Sequence, residues 1–125
     1  MDFKLVLYTG TSCSKCPRAR EVVREVAKEL GWTEGKEFVE KLIDGENLKE
    51  EQDIELEGKK YHIVQNVSQI TTQNVPCALA GEDYAIEALT LQVASVPSIV
   101  INGGPVFKGI VPEKEQLMEE IKKVF

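Results

Sequence analysis

The sequence predicts an α/β domain built on a mixed β-sheet flanked by helices, and three observations carry that reading. Phe3-Lys4-Leu5-Val6-Leu7-Tyr8 is a short apolar run, partly β-branched or aromatic, of the kind that forms a buried strand. Ala19, Val22, Val23, Val26, Ala27 and Leu30 recur at helical spacing directly after it. Ser98-Ile99-Val100-Ile101, Asn102-Gly103-Gly104 and Val106-Phe107-Lys108 read as strand, tight turn and return strand. Strand, helix and strand followed by hairpin and helix give an α/β sandwich with a mixed sheet.

Each element has its own local reason. Thr9-Gly10-Thr11-Ser12 is a small polar turn leading into the first helix. On that helix Arg18, Arg20, Glu21, Arg24, Glu25, Lys28 and Glu29 lie between the apolar positions and predict a solvated face, and Gly31 stands at the C-cap. Glu37 to Ile43 alternates partly and reads as a strand. Ile54 to Gln65 reads as a hairpin about Glu57-Gly58-Lys59-Lys60, with Tyr61, Ile63 and Val64 as strand formers. Glu82 to Val93 is helical, with Tyr84, Ile86, Ala88, Leu89 and Val93 inward. Pro112 suits the first turn of a last helix, whose buried stripe is Leu117, Met118, Ile121 and Phe125.

The 125 residues suit one domain that buries about two-thirds of its unfolded surface. A net charge of -6 speaks against nucleic acid or an anionic membrane as partner. No apolar run reaches the length of a membrane span, and the strand-like start of the sequence carries the expectation of a chain without a signal peptide. Three cysteines are too few for a stapled secreted scaffold, so the expected compartment is cytoplasmic and reducing. Residues 44–57 hold seven carboxylates against Lys49 alone, which equals the net charge of the whole chain. That stretch is expected to expose its acids and to anchor through Ile54, Leu56, Ile63, Val64, Val67 and Ile70.

The chemistry concentrates in Cys13-Ser14-Lys15-Cys16-Pro17, between the first strand and the first helix. Cysteines three apart in a helix's first turn share a face, within disulfide reach of one another. Unpaired N–H groups, the positive end of the helix dipole and Lys15 all favour a thiolate at Cys13. Such a thiolate attacks a disulfide, and Cys16 releases the mixed disulfide by closing the intramolecular bond. Inert thiols are one alternative. A zinc site drawn from Cys13, Cys16, Cys77 and His62 is another, though no second CxxC or HxxxH supports it. Cys77 reads as a buried core thiol, with exchange against Cys13 or Cys16 as its second possible role.

Val96-Pro97 stands directly before the strand Ser98–Ile101, where a proline's missing donor costs nothing. This proline, the CxxC after the first strand, and the hairpin and helix at the end together resemble the thioredoxin superfamily, in its small glutaredoxin-like branch. The likeness covers residues 3–43 and 82–125 and leaves an insertion at 44–81. It implies a thioredoxin-like fold, Cys13 as nucleophile, Cys16 as resolving thiol, Pro97 as a cis proline against the pair, and Val96 as the residue whose backbone meets substrate. Ser12, just before the pair, and Lys15, between its two cysteines, complete the expected substrate-binding set. Val75-Pro76 is the rival proline, but no hairpin follows Cys77-Ala78-Leu79-Ala80. The chain has no Trp-Cys-Gly-Pro-Cys core. Leu7 stands where thioredoxins bury an aspartate. It also has neither Cys-Pro-Tyr-Cys nor the Gly-Gly-Asp-Asp-type glutathione signature, whose place Gly109-Ile110-Val111 takes.

The function expected from this resemblance is thiol-disulfide exchange between Cys13-Cys16 and disulfide-containing protein partners. A thiol reductant recycles the pair, no cofactor is bound, and glutathione is disfavoured. The rival is a binding module of the same fold that docks a partner through its acidic insertion, or holds a metal, without redox turnover.

Overall fold

The computed structural model describes residues 3–11, 13–56, 58–91, 93 and 95–125. Among these residues seven strands and three α-helices follow one another as β1 (Leu5–Thr9), α1 (Cys16–Leu30), β2 (Phe38–Leu42), β3 (Gln52–Leu56), β4 (Lys59–Val64), β5 (Cys77–Leu79), α2 (Glu82–Thr90), β6 (Ser98–Ile101), β7 (Gly104–Lys108) and α3 (Lys114–Val124). The strands form one mixed sheet in the order β3-β4-β5-β2-β1-β6-β7. The four central strands, β4, β5, β2 and β1, are parallel, and β3, β6 and β7 are joined on antiparallel.

Alternation along β1 decides which helix covers which face. Leu5 and Leu7 point into the larger core with Val22, Val23 and Val26 of α1, Ile99, Phe107, and Leu117 and Ile121 of α3. Tyr8 points the other way, to Ala88 and Val93 at α2. Every residue of β2 is buried because both faces of that strand are covered. Asn102 and Gly103, with φ of 51° and 81°, form the two-residue β6–β7 turn that a twisted hairpin requires.

Several expectations need correction. Residues 44–81 do more than anchor through apolar side chains: β5 lies between β4 and β2, so this segment completes the sheet. Its hairpin is present as β3–β4. Leu56, Ile63 and Val64 are buried, with Ile54, Val67 and Ile70 packed against the core margins. Ile86 and Leu89 face outward, 53% and 71% exposed, because the one face α2 turns to the sheet is filled by Ala88 and the half-buried Tyr84. The last helix starts after Pro112. Glu113 caps it, paired with Gln116 in a reciprocal capping box. Phe125 is half exposed and meets Trp32 edge-on instead of entering the core.

The largest departure is on α1. Arg20 is 1% exposed and Arg24 is also turned inward, although both read as members of a solvated face. Their partner is Glu40, the one acidic residue in buried β2. On the opposite face Lys41 is likewise buried, paired with Glu87 at 2.6 Å, and Glu87 also accepts the Tyr8 hydroxyl. Burial, and then Glu87, hold the Tyr8 phenol well above its ordinary pKa. Among the described residues no helix is long and apolar enough to cross a membrane.

Candidate functional site

Strand order creates the site. β1 and β6 are antiparallel neighbours with Tyr8 opposite Ser98, so the exit of β1 and the entry of β6 lie at the same end of the sheet. The loop carrying Gly10 to Cys13 therefore adjoins the loop carrying Ser95 to Pro97. Cys13 places its sulfur 3.8 Å from the Val96 carbonyl oxygen, and the Val96 methyl would lie 3.5 Å from a Cβ at Gly10.

The cysteine pair is held by a turn and not, as its spacing suggested, by the helix's first turn. α1 begins at Cys16, with Lys15 as N-cap and Pro17 as the second helical residue. The Cys16 N–H reaches back to the Cys13 carbonyl at 3.3 Å, a four-residue turn that brings the two thiols together. Both are free thiols, Cys13 half-buried and Cys16 fully buried. Burial first, and then the hydrogen bond with Cys13, push the Cys16 thiol up to about 12, while the Gly10 backbone and the Arg20 charge pull the other way.

The loop ahead of Cys13 is fastened at two points. The Asp44 carboxylate accepts the Thr11 N–H at 3.0 Å and the Thr11 hydroxyl at 2.9 Å. The Gly10 carbonyl accepts Arg20 Nη2 at 3.1 Å. Behind it lies a buried ion network. Glu40 Oε2 accepts Arg20 Nε and the Thr9 hydroxyl, each at 2.6 Å, and Glu40 Oε1 accepts Arg24 Nη1 at 3.0 Å. Arg24 also pairs with Glu34 and donates to the Cys77 carbonyl, while Glu34 accepts the Cys77 N–H. Both guanidinium groups lie 5.3 Å from the Tyr61 ring centre.

Of the expected site residues, Cys13, Cys16 and Val96 come together. Pro97 is buried beside them in a cis peptide bond, its carbonyl accepting the Gly109 N–H at 2.8 Å. Lys15 is exposed, and Ser12 lies outside the described residues. Val75-Pro76, set aside on sequence, is cis as well. It opens β5 and lines a shallow groove with Asp53, Lys60 and His62, and neither Cys13 nor Cys16 reaches that groove.

The four residues considered as zinc ligands do not gather into one cluster. His62 stands between Asp53, 2.7 Å from Nδ1, and Glu51 on Nε2. The Cys77 thiol donates to Asn74, and burial raises it to about 12. Among the described residues no cluster of three or more His, Cys, Asp or Glu side chains is arranged for a metal ion.

Sequence reasoning missed Arg20, Arg24, Glu34, Glu40 and Asp44. Two signals were available. A glutamate inside a strand with both faces covered demands a buried cation, and Arg20 and Arg24 share one helix face by their spacing of four. Comparison with protein-family models, curated proteins and solved structures finds no match to this chain.

Proposed function

We propose that this chain is a thiol-disulfide oxidoreductase of thioredoxin-like fold that exchanges a dithiol for a disulfide with protein partners in a reducing, cytoplasmic compartment. The observation that carries the reading is the pairing of a half-buried Cys13 with a fully buried Cys16 in one turn, beside the Val96 carbonyl. The accessible sulfur is the one placed to meet a protein substrate, and the buried one is shielded from any partner of that size. The parallel β1-α1-β2 unit, and β6, β7 and α3 after it, are compatible with the fold that the resemblance implies.

In the reductive direction the Cys13 thiolate attacks one sulfur of a substrate disulfide. A mixed disulfide forms, and the first substrate thiolate leaves and takes a proton from solvent. Cys16 then gives up its proton and attacks the Cys13 sulfur, breaking the mixed bond and releasing the second substrate thiol. Two electrons pass to the substrate, and the chain is left with a Cys13–Cys16 disulfide. A thiol or dithiol reductant returns it. The half-buried Val96, beside Cys13, would offer its backbone to an extended substrate segment.

Insulin reduction in dithiothreitol tests this. The chain should accelerate precipitation of the insulin B chain, Cys13→Ser should abolish the effect, and Cys16→Ser should accumulate a mixed disulfide. Precipitation no faster than with dithiothreitol alone, together with no trapped adduct, overturns the reading.

A further inference from the structure

Arg20 follows Cys16 by four residues on α1, so the two side chains leave the same face of the helix. It is 1% exposed, and its guanidinium is divided between two tasks. Nε is committed to Glu40, while Nη2 holds the carbonyl of Gly10, in the loop that leads to Cys13. Arg20 therefore ties the Glu40 carboxylate to that loop, one helical turn from Cys16. The surrounding network is balanced in charge, with Arg20 and Arg24 against Glu34 and Glu40. A thiolate formed at Cys16 would meet the positive member of that network first.

We propose that Arg20, held by Glu40, is a positioning residue that stabilises the Cys16 thiolate. It thereby sets how readily Cys16 attacks the mixed disulfide and how readily it leaves when the Cys13–Cys16 bond is reduced. The inference rests on the exchange function proposed above. In a water-poor interior an adjacent opposite charge counts for far more than at the surface. Arg20 supplies that charge from one helical turn away, and through Gly10 it also fixes the loop ahead of Cys13. When an incoming thiolate attacks Cys13, the S–S bond breaks and its electron pair goes to Cys16, where Arg20 receives the negative charge. In the resolving direction the Cys16 proton leaves to solvent and the same charge holds the thiolate until it attacks.

The test uses two substitutions with opposite electrostatic sign. Arg20→Gln removes the cation, whereas Glu40→Gln keeps it and removes the carboxylate that neutralises it. When the dithiol form meets excess 5,5′-dithiobis(2-nitrobenzoate), the first thionitrobenzoate is released by Cys13 and the second as Cys16 closes the intramolecular bond. Arg20→Gln should slow that second release, and Glu40→Gln should speed it. A change of about three- to tenfold is expected in each, because closure follows the small thiolate fraction of Cys16. Arg20→Lys should lie near the original protein, and Arg20→Gln/Glu40→Gln between it and Arg20→Gln.

A second readout needs no disulfide and no turnover. In a Cys13→Ser background, the rate at which methyl methanethiosulfonate modifies Cys16 at fixed pH follows its thiolate fraction. It should fall in Arg20→Gln and rise in Glu40→Gln. A role in structure alone would move both variants the same way, and that result, or no change in either, overturns the proposal. Should Arg20→Gln not fold, Arg20→Lys and Glu40→Gln decide it: an unchanged Glu40→Gln rate counts against Arg20. If the exchange function fails, insulin reduction is lost while the Cys16 rates still answer the question about Arg20.

Discussion

Glu40→Leu removes the acceptor at the centre of the buried network, and its cost can be worked from the contacts. The carboxylate is 1% exposed and accepts from Arg20, Arg24 and Thr9. Without it Arg20 keeps only the Gly10 carbonyl and the Tyr61 ring face, and the Thr9 hydroxyl loses its acceptor. Arg24 suffers less, because it retains Glu34 and its side chain is 20% exposed. Removing one partner of a buried pair costs about 3–5 kcal/mol, since the remaining charge stays desolvated. The partial solvation of Arg24 places Glu40→Leu at about 3–4 kcal/mol, a large share of a typical 5–15 kcal/mol. Arg20→Met/Glu40→Leu takes both charges out together and should cost only about 1–2 kcal/mol, because apolar groups of similar volume replace an ion pair at little loss. Urea unfolding followed by circular dichroism, with a common m-value, measures Glu40→Leu, Arg20→Met and the double variant. A double variant costing the sum of its singles, or Glu40→Leu costing under about 1 kcal/mol, refutes the account of a coupled network.

Three further outcomes follow from the same geometry. One equivalent of iodoacetamide at neutral pH should modify Cys13 alone, because Cys16 and Cys77 are 0% and 1% exposed and burial raises both thiols to about 12. Peptide masses showing early labelling of Cys77 in the native chain would contradict this. His62 is held protonated above its ordinary 6.5 by Asp53 first and Glu51 second. Its ion pairs therefore add stability that is complete below pH 6.5 and is lost as pH rises through the raised value. Because those carboxylates are half exposed, the loss should stay under about 1 kcal/mol, and His62→Asn should flatten the urea midpoint between pH 6 and 8. Gly109 has φ of 70° and lies where a Cβ would come 3.0 Å from that of Ser95. Gly109→Ala should cost about 1–2 kcal/mol and displace the Ser95–Pro97 loop, raising KM for insulin severalfold. An unchanged KM with the stability loss intact would separate that loop from the site.

Local chemistry determined much of this molecule. The apolar runs of β1, β2 and β6, the helical stripe of α1 closed at Gly31, the Asn102-Gly103 turn and the β3–β4 hairpin each follow from neighbouring residues. So does the pairing of Cys13 with Cys16, since a spacing of three serves a turn as well as a helix. What periodicity could not convey is which charged residues are exempt from solvent. Arg20, Arg24, Glu40 and Lys41 carry the signature of a surface, and only the sheet order buries them, by covering both sides of β2 and placing α1 over Glu40 on one side and Glu87 beside Lys41 on the other. The meeting of Cys13 with Val96, 83 positions along the chain, depends in the same way on β1 and β6 being antiparallel neighbours. The tertiary structure alone decided that residues 44–81 widen the sheet. β5 is only three residues long, too short to show a pattern, and it becomes a strand because β2 and β4 supply hydrogen-bond partners on both sides.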